Sequence, residues 1–245
     1  MTESERITNS HLRPIMIQRH VLRHPAGSSL VSQGKTRVLC AASIGNDVPD
    51  FRSMTNGGWI TAEYAMLPGS TTPRKRRDGA ARFPDKRSIE ISRFLGRCLR
   101  AVVDLDSMGP HLITLDCDVL DADGGTRAAA LSGSCIALHD ALVSLVNEGR
   151  IAANPFRTLV AGVSVVAVND RLVLDPSYSD DARASMELNI ALSETGAPVE
   201  IHAMGEGKPF SIRMLEEAID IARGGAELIF EEQRRVLQET RADHP

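Results

Sequence analysis

A short stretch ahead of a predicted helix combines the groups that a phosphate site needs. Two consecutive glycines, Gly124 and Gly125, let the backbone come close to a ligand, and Thr126 and Arg127 follow with a hydroxyl and a guanidinium. The free amide groups and the positive dipole end of a helix start favour an anion. We interpret Gly125, Thr126 and Arg127 as a phosphate-binding turn.

A second guanidinium, that of Arg87, stands at the start of another predicted helix. From an equivalent position it would converge on the same phosphate. Each interpretation has an ordinary alternative. Arg87 would then be one more surface arginine, and the glycine turn would be a plain helix cap in which Arg127 pairs with Asp121 or Asp123.

Two carboxylates in the second half of the chain, Asp181 and Glu187, lie six residues apart across a predicted transition from loop to strand. Such a pair can hold a divalent cation such as Mg²⁺ or protonate a leaving oxygen. A solvated acidic turn is the alternative. The seven histidines are scattered, and we assign them no role.

The charge is unevenly distributed along the chain. The net charge is −4, yet the stretch from Arg74 to Arg100 holds ten basic residues against three acidic ones. An acidic body with one basic segment is typical of a soluble protein that attracts a polyanion locally. The alternative is a solvated charged loop that leads into a helix.

The sequence predicts a soluble, cytoplasmic protein. The four cysteines are far apart, and three of them lie in apolar runs, as buried thiols do. The first dozen residues do not resemble a signal peptide, and we expect no stretch that approaches the length of a membrane span.

Periodicity in the first half predicts several strands followed by two helices. Strands are expected at 14–18, 28–32, 36–44, 59–67 and 113–119, with a mobile loop from 70 to 86. One helix begins at Ser88, and another follows Gly125.

The second half repeats this order. We expect a strand at 159–168, a turn at Asn169-Asp170 and a return strand at 171–174, then a hairpin near 194–198 and a helix from 211 to 233. The pattern predicts an α+β fold, with two β-rich halves that each carry packed helices. We assign one domain over 1–245, with pseudo-repeat halves at about 10–152 and 155–240.

Ordered motifs along nearly the whole chain resemble the ribonuclease PH family. They include Arg13-Pro14, then Gly58-Trp59-Ile60-Thr61-Ala62-Glu63-Tyr64, the stretch from Asp123 to Arg127, and Gly205-Glu206-Gly207. The resemblance implies a phosphorolytic enzyme that matures transfer RNA 3′ ends. It also implies a fold of the ribosomal protein S5 domain 2-like type and a homo-oligomeric ring of six subunits, built as three dimers.

The resemblance implies roles for individual residues. Arg87, Gly125, Thr126 and Arg127 match phosphate-binding positions, with inorganic phosphate as co-substrate. The two carboxylates, Asp181 and Glu187, match catalytic positions that would also hold Mg²⁺. Three arginines match an RNA-contacting loop: Arg74, Arg76 and Arg77.

The chain departs from the family pattern at a few positions. Glu187 stands where aspartate is usual, Ser185 replaces a common acidic residue, and Gly69 replaces a basic one. The changes at Glu187 and Ser185 keep open a second hypothesis, a catalytically silent RNA-binding subunit of an exosome-like ring. A third hypothesis, a hydrolytic nuclease with two metal ions, has too few acidic residues and leaves the arginines unexplained.

Overall fold

A computed structural model describes residues 7–9, 11–54, 56–78 and 85–239. The first half forms a five-stranded sheet in the order β2-β3-β4-β6-β5. Its strands are β2 (Ile15–Arg19), β3 (Gly27–Gln33), β4 (Thr36–Gly45), β5 (Trp59–Met66) and β6 (Leu112–Asp121). All neighbours are antiparallel except β5 and β6, which are parallel.

Within the described residues, three α-helices belong to this half: α1 (Asp50–Ser53), α2 (Lys86–Ala101) and α3 (Thr126–Asn147). Helix α2 links the parallel strands β5 and β6, as such a crossover requires. It begins where the Asp85 carboxylate accepts a hydrogen bond from the backbone N–H of Arg87 at 3.0 Å. Its buried face includes Ile91, Phe94 and Leu95.

Helix α3 lies between the two sheets of the molecule, because it contacts β3 and β4 on one side and β7 (Val160–Val168) on the other. Its mean hydropathy of 1.6 over a membrane-length stretch would suffice to cross a bilayer, but 78% of that stretch is buried inside the protein. The expectation that no stretch reaches the length of a span is therefore wrong. Burial on both sides explains the apolar composition.

The second half forms another five-stranded sheet, in the order β1-β8-β7-β9-β10. Its remaining strands are β1 (Ile7–Asn9), β8 (Arg171–Leu174), β9 (Met186–Ser193) and β10 (Pro198–Gly205), and its helices are α4 (Tyr178–Asp181) and α5 (Ile212–Gln238). Strand β1 pairs with β8 in parallel, and the other neighbours are antiparallel. One continuous hydrophobic core runs through both halves.

The structure confirms the α+β fold and both predicted hairpins. Within the described residues it adds four short elements that the sequence did not predict: β1, α1, α4 and a 3₁₀ turn at Pro68–Ser70. Of the loop predicted from 70 to 86, residues 79–84 lie outside the described part of the chain. All four cysteines are buried and free.

Candidate active site

The glycine turn between β6 and α3 has the backbone shape that only glycine adopts without strain. Gly124 and Gly125 have φ angles of +77° and +64°. A Cβ atom on Gly124 would lie 2.2 Å from the backbone oxygen of Pro176, which precedes α4. The turn of the first half is therefore packed directly against the chain of the second half.

Arg13 stabilises this contact by donating hydrogen bonds to both halves of the molecule. Its Nη1 donates to the backbone oxygen of Asp123 at 2.6 Å, and its Nε and Nη2 donate to the two carboxylate oxygens of Asp175 at 2.8 and 2.7 Å. The hydroxyl of Thr36 also donates to the backbone oxygen of Gly124 at 2.6 Å. The position of the glycine turn is thus set by three separate segments of the chain.

Thr126, the first residue of α3, has its hydroxyl oriented by a buried tyrosine. The hydroxyl of Tyr64 donates to Thr126 Oγ1 at 2.8 Å. Burial raises the pKa of Tyr64, so this group stays protonated and acts as the donor. Because Thr126 accepts from Tyr64, its own proton remains available to a ligand.

Arg127 is 7% exposed and pairs with Glu90 of α2, with 2.7 Å between Nη2 and Oε2. The alternative in which it pairs with Asp121 or Asp123 is wrong, because in the structure Arg37 lies beside Asp121 and Arg13 beside Asp123. The other terminal nitrogen, Nη1, is buried without a hydrogen-bond partner among the described residues. An unpaired buried donor costs about 1–3 kcal/mol, so an acceptor that reached it would be favoured.

Arg87 and the glycine turn line one cavity of about 370 Å³. Arg87 lies in the first turn of α2 and faces the cavity together with Gly125, Thr126 and Asp181. The remaining lining residues come mainly from the ends of β5 and β6 and from the segment after β5: Met66, Thr71, Thr72, Pro73, Ala122, Gly124 and Tyr178. Several elements of the first half and helix α4 of the second half therefore meet at a single site.

The two predicted carboxylates are close enough to influence each other. Burial raises the pKa of Asp181, and the negative charge of Glu187 raises it further, while the positive charge of Arg87 opposes both. Glu187 accepts a hydrogen bond from Asn189 Nδ2 at 2.6 Å. Asp181 lies at the end of helix α4 and not in a loop, and Glu187 lies in β9 as expected.

The pair fits a cation that takes its other ligands from water or substrate. Within the described ranges, no group of three or more His, Cys, Asp and Glu side chains could hold a metal ion. Mg²⁺ characteristically uses one or two carboxylates and completes its shell with water and phosphate oxygens. The raised pKa of Asp181 indicates negative charge that is not fully compensated, which a cation would relieve.

The three arginines predicted to contact RNA lie next to this site. Arg74, Arg76 and Arg77 are exposed and follow directly after the cavity-lining residues Thr71 to Pro73. The positive charge of Arg77 acts on Asp118 of β6. Nothing in the structure tests their role in RNA binding.

Sequence reasoning gave no role to four residues that shape the site: Arg13, Tyr64, Glu90 and Asp175. Arg13 and Tyr64 stood inside the motifs that carried the resemblance. Their contacts join positions that are distant along the chain, so local patterns could not reveal them. Asp175, for example, is 162 positions from Arg13.

Two stacked halves with a phosphate-suited glycine turn at their contact define a protein of the ribonuclease PH fold type. The sequence matches the 3′ exoribonuclease family twice, with domain 1 over residues 11–144 and domain 2 over residues 158–225. The chain belongs to this 3′ exoribonuclease family.

Solved structures with the same fold as this chain include exosome components. An Archaeoglobus fulgidus exosome with RNA bound to the active site has a TM-score of 0.78 and 22% identity, covering 91% of this chain and 89% of that chain. Rice (Oryza sativa) Rrp46 has a TM-score of 0.75 and 18% identity, covering 96% and 100%. An archaeal exosome core has a TM-score of 0.74 and 22% identity, covering 92% and 88%.

Proposed function

We propose that this protein shortens RNA from its 3′ end by phosphorolysis, that it trims transfer RNA 3′ ends, and that it releases nucleoside diphosphates. The observation that carries the proposal is the convergence of Arg87, Gly125 and Thr126 on one cavity, with Asp181 on its wall. The first three groups suit a phosphate ion, and the carboxylate suits the proton or cation that the leaving oxygen needs.

Inorganic phosphate is already a nucleophile, so the protein has to hold it in line and screen its charge. The amide groups at the start of α3, the Thr126 hydroxyl and the Arg87 guanidinium would do this. The buried, unpaired Nη1 of Arg127 is a further donor beside Thr126. A phosphate oxygen then attacks the phosphorus of the last phosphodiester.

The bond from that phosphorus to the 3′ oxygen of the penultimate nucleotide breaks, and this oxygen takes up a proton. Asp181 suits the step, because burial and the charge of Glu187 let it keep a proton to higher pH than an ordinary aspartate. Alternatively, ionised Asp181 and Glu187 would hold Mg²⁺, which in place of the proton would supply positive charge where the oxygen departs. Since one phosphate ester replaces another, the reaction runs in both directions.

The RNA would reach the cavity along Arg74, Arg76 and Arg77, which are exposed beside it. Backbone contacts of this kind give an affinity that falls with salt and depends little on sequence. We further propose a homo-oligomeric ring in the cytoplasm, a hexamer of three dimers. The exosome assemblies among the similar structures support a ring, and the four free thiols suit a reducing compartment.

A catalytically silent ring subunit is the second candidate, and two contacts favour it. Glu187 replaces the aspartate that the resemblance implies and is held by Asn189, and Arg127 is engaged by Glu90. A residue misplaced by about 1 Å can lower a rate ~100-fold. Such a protein would bind RNA without cleaving it.

The test is incubation with a 3′-extended transfer RNA and Mg²⁺, with and without inorganic phosphate, followed by identification of the released nucleotides by mass. We expect diphosphates, released only when phosphate is present. RNA binding with no release would support the silent subunit, and monophosphates released without phosphate would indicate a hydrolase. Arg223→Ala serves as a matched control for arginine variants of the site, because Arg223 is an exposed arginine that, within the described residues, pairs with nearby Asp220.

A further inference from the structure

Tyr178 presents an exposed aromatic ring at the edge of the active-site cavity. The residue is part of the cavity lining beside Arg87, Gly125 and Asp181, and it is 66% exposed. The chain has only two tyrosines, and the other one, Tyr64, is buried. A large apolar surface left open beside a polar site suggests a flat apolar ligand group.

The backbone of Tyr178 is held firmly in relation to the phosphate turn. Its N–H donates to the carboxylate of Asp123 at 3.2 Å, across the contact between the two halves. One residue earlier, Ser177 and Asp180 form a reciprocal capping box, in which the backbone N–H of Ser177 donates to Asp180 Oδ2 at 3.2 Å. The Ser177 hydroxyl donates to the same oxygen at 2.7 Å. The ring is therefore carried by a fixed support, which lowers the entropy lost when a ligand packs on it.

Tyr178 and Asp181 also belong to the same short helix, α4. A group that packs on the ring is thereby placed within one helical turn of the carboxylate that serves the leaving oxygen. In a chain of nucleotides, the groups at this distance from the scissile phosphate are the bases of the nucleotides on either side of it.

We propose that the ring of Tyr178 stacks on the base of one of the two 3′-terminal nucleotides and so positions the scissile bond. The inference rests on the proposed function, since it concerns the substrate of the same site. Every base has a flat π face, so the contact is independent of sequence, and stacking of this kind contributes about 1–3 kcal/mol per base. The hydroxyl takes no part, and phenylalanine should replace tyrosine.

The experiment measures equilibrium binding of a single-stranded RNA oligonucleotide without phosphate, and then phosphorolysis of the same oligonucleotide. Tyr178→Ala should weaken RNA binding about 5- to 150-fold, and Tyr178→Phe should bind as the parent does. The KM for phosphate should stay the same in both variants. Phe51→Ala is the matched control, because Phe51 is 63% exposed and packs against Trp59, not against the cavity lining.

A second arm uses oligonucleotides that lack the base at the last or at the penultimate position. Removal of the stacked base should weaken binding to the parent as much as Tyr178→Ala does, and it should have no further effect on that variant. Independent, additive losses would overturn the proposal. So would a Tyr178→Ala variant that binds normally, or one whose weaker binding follows a changed oligomeric state, which would make the ring an intersubunit contact.

These arms separate the two proposals. If the parent binds RNA with the expected dependence on Tyr178 but releases no nucleotide, the stacking proposal stands and phosphorolysis fails. If the parent releases diphosphates and Tyr178→Ala has no effect on binding, phosphorolysis stands and the stacking proposal fails.

Discussion

Arg13 and Asp175 form a two-point ion pair that joins the two halves of the molecule beneath the glycine turn. Asp175 is 4% exposed, and its carboxylate also accepts from the backbone N–H of Arg13 at 3.0 Å. The same guanidinium reaches the backbone oxygens of Asp123 and Gly124. One side chain therefore fixes the distance between the phosphate turn and the segment that leads to Asp181.

Breaking this pair should destabilise the fold and impair the site. Arg13→Ala or Asp175→Asn should lower the free energy of unfolding by about 3–5 kcal/mol, because each leaves a buried partner uncompensated. Urea denaturation measures the loss. The double variant should lose less than the sum of the two single variants.

The exposed pair Arg223 and Asp220 provides the control for this effect. Arg223→Ala should cost less than about 1 kcal/mol, as surface pairs do. Additive losses in the Arg13 and Asp175 cycle would contradict a direct coupling between the two halves.

The glycine turn can be tested against a glycine of similar backbone shape in open space. Gly124 and Gly149 have φ angles of +77° and +68°, but only Gly124 has no room for a Cβ atom. Gly149→Ala should cost only the strain of the left-handed conformation, about 1–2 kcal/mol. Gly124→Ala should cost about 3 kcal/mol or more, because Pro176 must also move.

Thermal denaturation of both glycine variants, followed by phosphate binding, distinguishes these costs. Phosphate affinity should fall in Gly124→Ala and remain unchanged in Gly149→Ala. Equal loss of stability in the two variants would mean that the contact between the halves is looser than the structure has it.

Two neighbouring aspartates in α4 should respond to neutralisation with opposite signs. Burial raises the pKa of Asp181, so its folded state keeps a proton that the unfolded chain loses, and stability falls as pH rises through that folded pKa. Hydrogen bonds from Ser177 lower the pKa of Asp180, so its charge stabilises the fold above the unfolded pKa.

At pH 7, Asp181→Asn should therefore raise the melting temperature, by about 1–3 °C for a partly screened group, and Asp180→Asn should lower it. The gain in Asp181→Asn should shrink as the pH is lowered toward the pKa of Asp181. Activity should be lost in Asp181→Asn despite the greater stability. Destabilisation by both substitutions would show that the ionised Asp181 carboxylate does not destabilise the fold.

Glu187 should tune the titration of Asp181. Its negative charge contributes to the raised pKa, so Glu187→Gln should lower the pKa of Asp181 and move the alkaline limb of the pH–rate profile, where this general acid loses its proton, to lower pH. Glu187→Asp, which keeps the charge, should leave that limb near its original position. Both pH–rate profiles are measured at saturating phosphate. An unshifted limb in Glu187→Gln would show that the Glu187 charge does not affect the titration of Asp181.

The sequence could predict what depends on local pattern. The Gly124-Gly125 turn, the helix start at Arg87 and the order of strands follow from spacing and turn residues over short stretches. The contact of Arg127 with Glu90 and that of Tyr64 with Thr126 join residues 37 and 62 positions apart, which periodicity cannot pair. Asp181 was expected in a loop because a four-residue helix is too short to show a period.

Label transfer shows whether inorganic phosphate attacks RNA at this site. The protein is incubated with 3′-extended transfer RNA, Mg²⁺ and ³²P-labelled phosphate, and the label in the released nucleotides is followed beside Arg127→Ala and the control Arg223→Ala. We expect label in the terminal phosphate of nucleoside diphosphates, formed by the parent and the control and reduced at least ~100-fold in Arg127→Ala, since a donor to a developing charge is lost. Unlabelled monophosphates, or no release from RNA that is bound, would rule out attack by inorganic phosphate.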